Sequence, residues 1–317
     1  VGGELQVQTV SGPYGDPTPV TWLLSDGTAY VESAQACGLH LSDRRDPTVA
    51  SSTGVGEVVG AALGAGVRRI VVGLGGSATN DGGAGLLGAL GATADVPLDR
   101  GPLALEGIGA LDVDPVRRRL AGVEVTIASD VDSTLLGMFG ATKTFGPQKG
   151  LDDAQVVTVD RLLDDLVVAA CGSTPAERRV ADAKGAGAAG GLGFALMLLA
   201  RDGADAVTSG IDLVADAVGL TEQAARHDLV VTGEGRYDFS SRAGKVVFGV
   251  ATAAARAARP CLVLAGQVEV GSREMRAMGV ESAYAMSDLV GLERSMGEPR
   301  EALAELAARV ARTWSRR

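Results

Sequence analysis

The sequence predicts an α/β protein of two domains, on three observations. An apolar β-branched run, Ile70 to Val72, breaks into glycines and small polar residues and resumes at helical spacing with Leu86, Leu87 and Leu90, the pattern of strand, loop and helix. Beyond residue 200 such strands and helices alternate to the carboxyl terminus, which implies a parallel, Rossmann-like sheet with right-handed crossovers. The first 200 residues carry hairpin-like alternation as well. That change of character divides the chain into a mixed α/β domain, 1–200, and a Rossmann-like domain, 201–317.

Composition narrows the function. A chain of 317 residues with 46% hydrophobic content can bury a large core. A net charge of −10 argues against nucleic acid or an anionic membrane as partner, and the arginine runs 117–119 and 316–317 read as solvated ends. Cys37, Cys171 and Cys261 are odd in number and lie in apolar surroundings, as expected in a reducing cytosol, so the expected location is cytoplasmic. His40 and His227 stand beside no plausible nucleophile, which disfavours a histidine triad, and no apolar run reaches membrane-spanning length. Only four of the 29 basic residues are lysine, and Lys143, Lys149, Lys184 and Lys245 all lie in or beside glycine-rich stretches. A compact ammonium kept in such loops suits phosphate contact.

In chain order, Gln6 to Val10, Val20 to Leu24 and Thr28 to Glu32 alternate between turn-rich segments and predict antiparallel strands. Thr53 is placed as N-cap of a helix reaching Gly64. After the organising strand comes GGSATNDGGAG, where Gly75, Gly76, Gly82 and Gly83 permit close approach to a ligand and Ser77, Thr79, Asn80 and Asp81 supply polar groups. Its backbone N–H groups precede a helix, a ready anion site, although the spacing is neither the dinucleotide fingerprint nor the P-loop. Strand Val125 to Ala128 ends at Asp130 and Asp132, which suit either Mg²⁺ held with substrate phosphates or a plain turn. FGPQKG offers Gln148 and Lys149 on a polar loop before a helix from Asp152 to Ala170. GAGAAGGLGFAL, with Gly187, Gly190 and Gly191, fits an anion loop or close helix packing equally well. Strand Leu229 to Val231 then ends in Thr232, Gly233, Glu234, Gly235 and Arg236, followed by Asp238 and a helix opened by Lys245. Strands Leu262 to Ala265 and Glu281 to Ala285 follow, with helices from Ser272 to Met278 and Glu301 to Trp314, the last showing Leu303, Leu306, Ala307, Val310 and Trp314 on one face.

These four segments, in this order, resemble the signature motifs of the type I glycerate kinases, a bacterial family. GGSATNDGGAG and FGPQKG agree without departure, whereas Ser133-Thr134 stand where the family usually has Asn-Pro and Ser240-Ser241 where it has Gln-Thr. The resemblance implies phosphorylation of D-glycerate by ATP with Mg²⁺, on a Rossmann-like domain whose opening unit precedes residue 1 and into which the first 200 residues are inserted. It also implies site roles. The backbone from Gly75 to Gly83 and from Gly187 to Gly191, with Gly233 and Gly235, would cradle phosphates or the substrate carboxylate. Lys149, Lys245 and Arg236 would neutralise developing charge, Asp130 or Glu234 would hold Mg²⁺, and Asp81 or Asp238 would act as base. A kinase of another small hydroxy acid, or an inactive or binding-only member, stays open, as does monomer against homodimer.

Overall fold

Short β-branched runs become strands wherever the alternation expects them. The computed structural model describes residues 2–242 and 246–315, divided into two compact units, Val1–Thr208 and Ser209–Arg317. In the first, β1 (Glu4–Ser11), β2 (Pro17–Ser25) and β3 (Thr28–Glu32) form an antiparallel meander. Asp26 and Gly27, both at positive φ, make the two-residue turn between β2 and β3. After β4 (Arg69–Gly73) the chain makes a small ribbon of β5 (Thr93–Ala94) and β6 (Leu111–Asp112), then returns as β7 (Glu124–Ala128) and β8 (Val207–Thr208). Strands β3, β4, β7 and β8 are parallel, giving a six-stranded sheet of order β1-β2-β3-β4-β7-β8.

Helices cover this sheet by burying the faces their periodicity predicts. Helix Thr53–Gly64 buries Val55, Val58, Val59 and Ala62. It crosses helix Ala84–Leu90 so closely that a Cβ on Gly56 would lie 2.6 Å from the Leu86 carbonyl. Ile70, Leu86, Leu87, Ile127, Leu166 and Phe194 share one core and are fully enclosed. Helix Asp153–Cys171 starts with a capping box, Asp152 accepting from the Gln155 backbone and Gln155 accepting from Asp152 in return.

Two expectations in this unit need correction. Thr53 is the first helical residue and Ser52 holds the cap position, its hydroxyl being occupied elsewhere. The expected polar loop around Gln148 and Lys149 is the last turn of helix Ala141–Lys149, which carries Pro147 and stops at Gly150 with φ 115°.

In the second unit β9 (Val230–Tyr237), β10 (Cys261–Val268) and β11 (Ser282–Ala285) form a parallel sheet of order β11-β10-β9. Helices Val246–Arg256, Ser272–Ala277 and Pro299–Trp314 alternate with them. Strand β9 continues through Thr232–Arg236, the stretch expected to be a loop past the strand end. On the last helix Leu306 and Val310 are buried and Ala307 and Trp314 half-buried as expected, whereas Leu303 points out and Ala302 is buried in its place. Among the described residues no helix is long and apolar enough to cross a membrane. All three cysteines are free.

Candidate functional site

Parallel strands place their carboxyl ends together, and open α/β sheets bind ligands there. In the first unit Glu32, Gly73, Ala128 and Thr208 stand in one row across the sheet. Immediately past that row lie Ser33, the glycine loop that starts at Leu74, and the segment from Ser129 to Asp132. Gly75 and Gly76 are exposed, and a Cβ at Gly75 would meet nothing within 4 Å. The outer half of this motif therefore presents open backbone.

Its inner half does something else. Ser77, Thr79, Asn80 and Asp81 are all buried. Asp81 Oδ2 accepts from the Ser52 backbone N–H and hydroxyl, both at 2.8 Å, and from Gly85 N–H at 3.2 Å, while Oδ1 accepts from Gly83 N–H at 3.1 Å. Ser52 Oγ accepts in turn from Leu86 N–H at 3.0 Å. One carboxylate thus joins the starts of two helices, satisfying N–H groups that helix termini leave open. Burial raises its pKa, and the four donors oppose that rise. Asp81, expected as a base, is enclosed, and both its oxygens accept hydrogen bonds from the fold. Asn80 donates to Thr142 Oγ1 at 2.9 Å.

Gly82 and Gly83 sit at φ 65° and 75°, and Gly190 and Gly191 at 70° and 96°. The two pairs lie back to back. Gly82 N–H donates to the Gly190 carbonyl at 3.0 Å, a Cβ on Gly190 would fall 2.8 Å from Asn80 Cα, and one on Gly191 would fall 2.5 Å from Gly82 Cα. Gly187 is buried as well, and a Cβ there would lie 2.7 Å from Ser133 Oγ. The structure thus brings the first and third motifs together through packing, and the buried Gly82, Gly83, Gly187, Gly190 and Gly191 open no cradle to solvent.

Lys149 is also inside, 4% exposed, with Nζ donating to the Thr79 carbonyl at 2.7 Å and to Ser77 Oγ at 3.0 Å. It supports the loop from beneath, and Gln148 beside it faces solvent. Desolvation lowers the Lys149 pKa to about 8, while burial pushes the neighbouring Cys37 thiol up to about 12. The sign for Lys149 follows directly: between about pH 8 and 10.5 the unfolded chain holds a proton that the native state has released. The stability difference between wild type and Lys149→Met is therefore expected to shift in favour of wild type as pH rises through that window. Paired urea titrations at pH 7.5 and 10 check it, and a difference independent of pH would refute it.

Around this loop, Asp130 is exposed just past β7, and Asp132 pairs with Lys184 at 3.2 Å. Ser33 Oγ, Asn80 Oδ1 and Ser133 Oγ are buried without a hydrogen-bond partner among the described residues, as groups awaiting water or ligand would be. No group of three His, Cys, Asp or Glu residues able to hold a metal occurs among the described residues. Mg²⁺ bound with a nucleotide needs only one or two carboxylates, so the exposed Asp130 fits that use.

In the second unit, Arg236 reaches Glu269 at 3.5 Å and Gln267 Oε1 at 3.1 Å, and Glu234 accepts from Ser241 Oγ at 2.6 Å. Gly233 and Gly235 are exposed on β9, with the Leu264 carbonyl filling the space of a Gly233 Cβ. Asp238 is half-buried and its N–H donates to Ser241 Oγ at 3.3 Å. Lys245 lies outside the described residues. Sequence reasoning missed Ser52 and Thr142, the partners of Asp81 and Asn80; the serine pair before Thr53 was the available sign of a second capping residue.

Comparison with known proteins gives a consistent result. The model of the glycerate kinase family matches residues 1–315. The chain is 39% identical over 295 residues to the glycerate kinase of Bacillus subtilis (strain 168), covering 90% of this chain and 75% of that protein. Against the glycerate 2-kinase of Escherichia coli (strain K12) it is 38% identical over 290 residues, 89% of this chain and 75% of the relative. A crystal structure from Salmonella typhimurium LT2, described as a candidate glycerate kinase 2, superposes with a TM-score of 0.75 at 32% identity, covering 99% of this chain and 84% of that one.

Proposed function

The chain belongs to the glycerate kinase family, and from that premise we propose that it transfers the γ-phosphoryl group of ATP to a hydroxyl of D-glycerate. Phosphoryl transfer asks a protein for positioning and charge stabilisation more than for covalent chemistry. The observation that carries this reading is the glycine loop: open backbone at Gly75 and Gly76, held on a buried frame of Asp81, Asn80 and Lys149. Backbone N–H groups fixed in this way suit a phosphate or carboxylate.

Asp130 is the residue suited to Mg²⁺, which when bound with ATP would neutralise phosphate charge. Lys149 acts as a positioning residue that keeps Ser77 and Thr79 in place. In the second unit Arg236 and Glu234 remain proposed contributors to nucleotide and metal binding, and Asp238, half-buried just past the end of β9, takes the proposed role of base. A cytoplasmic setting suits both ATP use and three free cysteines.

The test is ³¹P NMR of ATP, Mg²⁺ and D-glycerate with the protein, beside a panel of other small hydroxy acids. A phosphoglycerate signal with D-glycerate is expected; ATP consumption with a different acid alone would replace the substrate, and none at all would reject the reading. Asp130→Asn is expected to move the Mg²⁺ dependence of turnover upward by at least the ~10-fold that losing an outer-shell partner costs. An unchanged Mg²⁺ titration would remove Asp130 from the metal site.

A further inference from the structure

At the opposite end of the same sheet lies a cavity of about 930 Å³. It opens at the amino ends of β4 and β7 and at the turn that leads to β8, with Arg68, Arg117 and Arg201 among its lining residues. Its apolar lining includes Leu120, Val125, Met197 and Leu199, all buried. The five residues of β4 separate this opening from the glycine loop by roughly 15 Å at about 3.3 Å per residue.

The guanidiniums here are not all committed to protein carboxylates. Arg68 reaches only the Asp26 carbonyl, at 3.4 Å, and Arg201 has no hydrogen bond or ion pair among the described residues. Arg117 pairs with Asp114 at 3.1 Å and donates to the Leu198 carbonyl at 3.1 Å. Of the two carboxylates in the lining, Glu124 and Asp202, the first pairs with Arg69 at 3.2 Å. The lining thus carries three guanidiniums against two carboxylates in a chain of net charge −10, and guanidinium forks match carboxylate and phosphate geometry.

We propose that this cavity binds a small organic anion, a carboxylate or phosphate on a compact carbon body, as a second ligand site apart from the glycine loop. The segment Ala188–Leu199 connects the two places: Gly190 and Gly191, in the left-handed break after which its helix runs on, pack against Gly82 and Gly83, and Met197 to Leu199 at the end of that helix line the cavity. A ligand seated there bears on the element that shapes the loop, a physical route for coupling between sites. The regulatory meaning rests on the kinase reading above, whereas the binding site does not.

Isothermal titration of the full chain with phosphoenolpyruvate, citrate and inorganic phosphate tests the proposal, each repeated with D-glycerate and a non-hydrolysable ATP analogue at saturation. Saturable binding of phosphoenolpyruvate, citrate or both is expected, at a stoichiometry that those additions leave unchanged and with affinity weakened tenfold or more in Arg68→Ala/Arg201→Ala; citrate binding marks recognition of carboxylate alone, since phosphoenolpyruvate carries both groups. Arg68→Lys/Arg201→Lys should retain part of the affinity, and because Arg68 and Arg201 are exposed the variants' melting temperatures should match wild type. No saturable binding, displacement by the glycerate and nucleotide pair, or undiminished affinity in the alanine variant would overturn the site. Inorganic phosphate binding as tightly as either organic acid would overturn the assignment of an organic ligand. Failure of the kinase reading shows separately, as absent phosphoglycerate in a protein that still titrates with these acids.

Discussion

Asp81→Ala is expected to destabilise the first unit by on the order of 4 kcal/mol, because four donors lose their shared acceptor in a dry interior. A loss of that size is a large share of the 5–15 kcal/mol that holds an ordinary domain together. Asp81→Asn keeps the shape but turns an amide N–H₂ towards N–H donors on one side, so it should fall between alanine and wild type. Thermal melting and limited proteolysis of the two variants measure this. Were Asp81 instead the base of the reaction, Asp81→Asn would abolish turnover while leaving the melting temperature in place; that outcome would sink the structural role argued here.

Gly190→Ala should be nearly as damaging. At φ 70° an alanine pays the left-handed penalty of about 1–2 kcal/mol, and its Cβ would also press on the Thr79 carbonyl and Asn80 Cα. Backbone cannot step aside as a flexible side chain can, so a further ~1–3 kcal/mol of overpacking is expected, with loss of phosphorylation as the loop is displaced. Gly75→Ala provides the contrast. Space around Gly75 is open and its φ is ordinary, so the fold should melt unchanged and any fall in activity would report how closely the ligand approaches the backbone. If Gly75→Ala and Gly190→Ala lowered the melting temperature alike, the division of the motif into an open outer half and a packed inner half would be wrong.

The strands were legible because β-branched runs bounded by turn residues have few alternatives: β1 to β4, β7 and β10 all include their expected cores. Glycine was read rightly as a loop after β4 but misled at two other places. Gly233 and Gly235 look like a loop, yet β9 runs through them, and Gly233 is small because the Leu264 carbonyl occupies its side-chain space. Gly146 and Pro147 likewise suggested a loop before Lys149, while the chain stays helical to Lys149. The motif residues were found by type, but the groups that hold them were not, since those lie distant in sequence. Asp81 is explained by Ser52, Asn80 by Thr142, and Lys149 by Thr79, and no local pattern announces such pairs. Leu303 shows the same limit on a smaller scale: it keeps the spacing of Leu306 and Val310 and still points out.

The back-to-back glycine turns also dictate an order of events during synthesis. Gly82 and Gly190 are joined by a hydrogen bond, yet more than a third of the chain separates their codons. Until the ribosome has delivered the later segment, the earlier one has strand β4 and Ser52 to hold it but lacks the Gly190–Gly191 backbone that closes its other side, so it waits unfinished. Contacts of such long sequence separation form late and slowly. A nascent chain halted between the two segments would carry the whole ND-containing signature and still lack the contact that completes its shape.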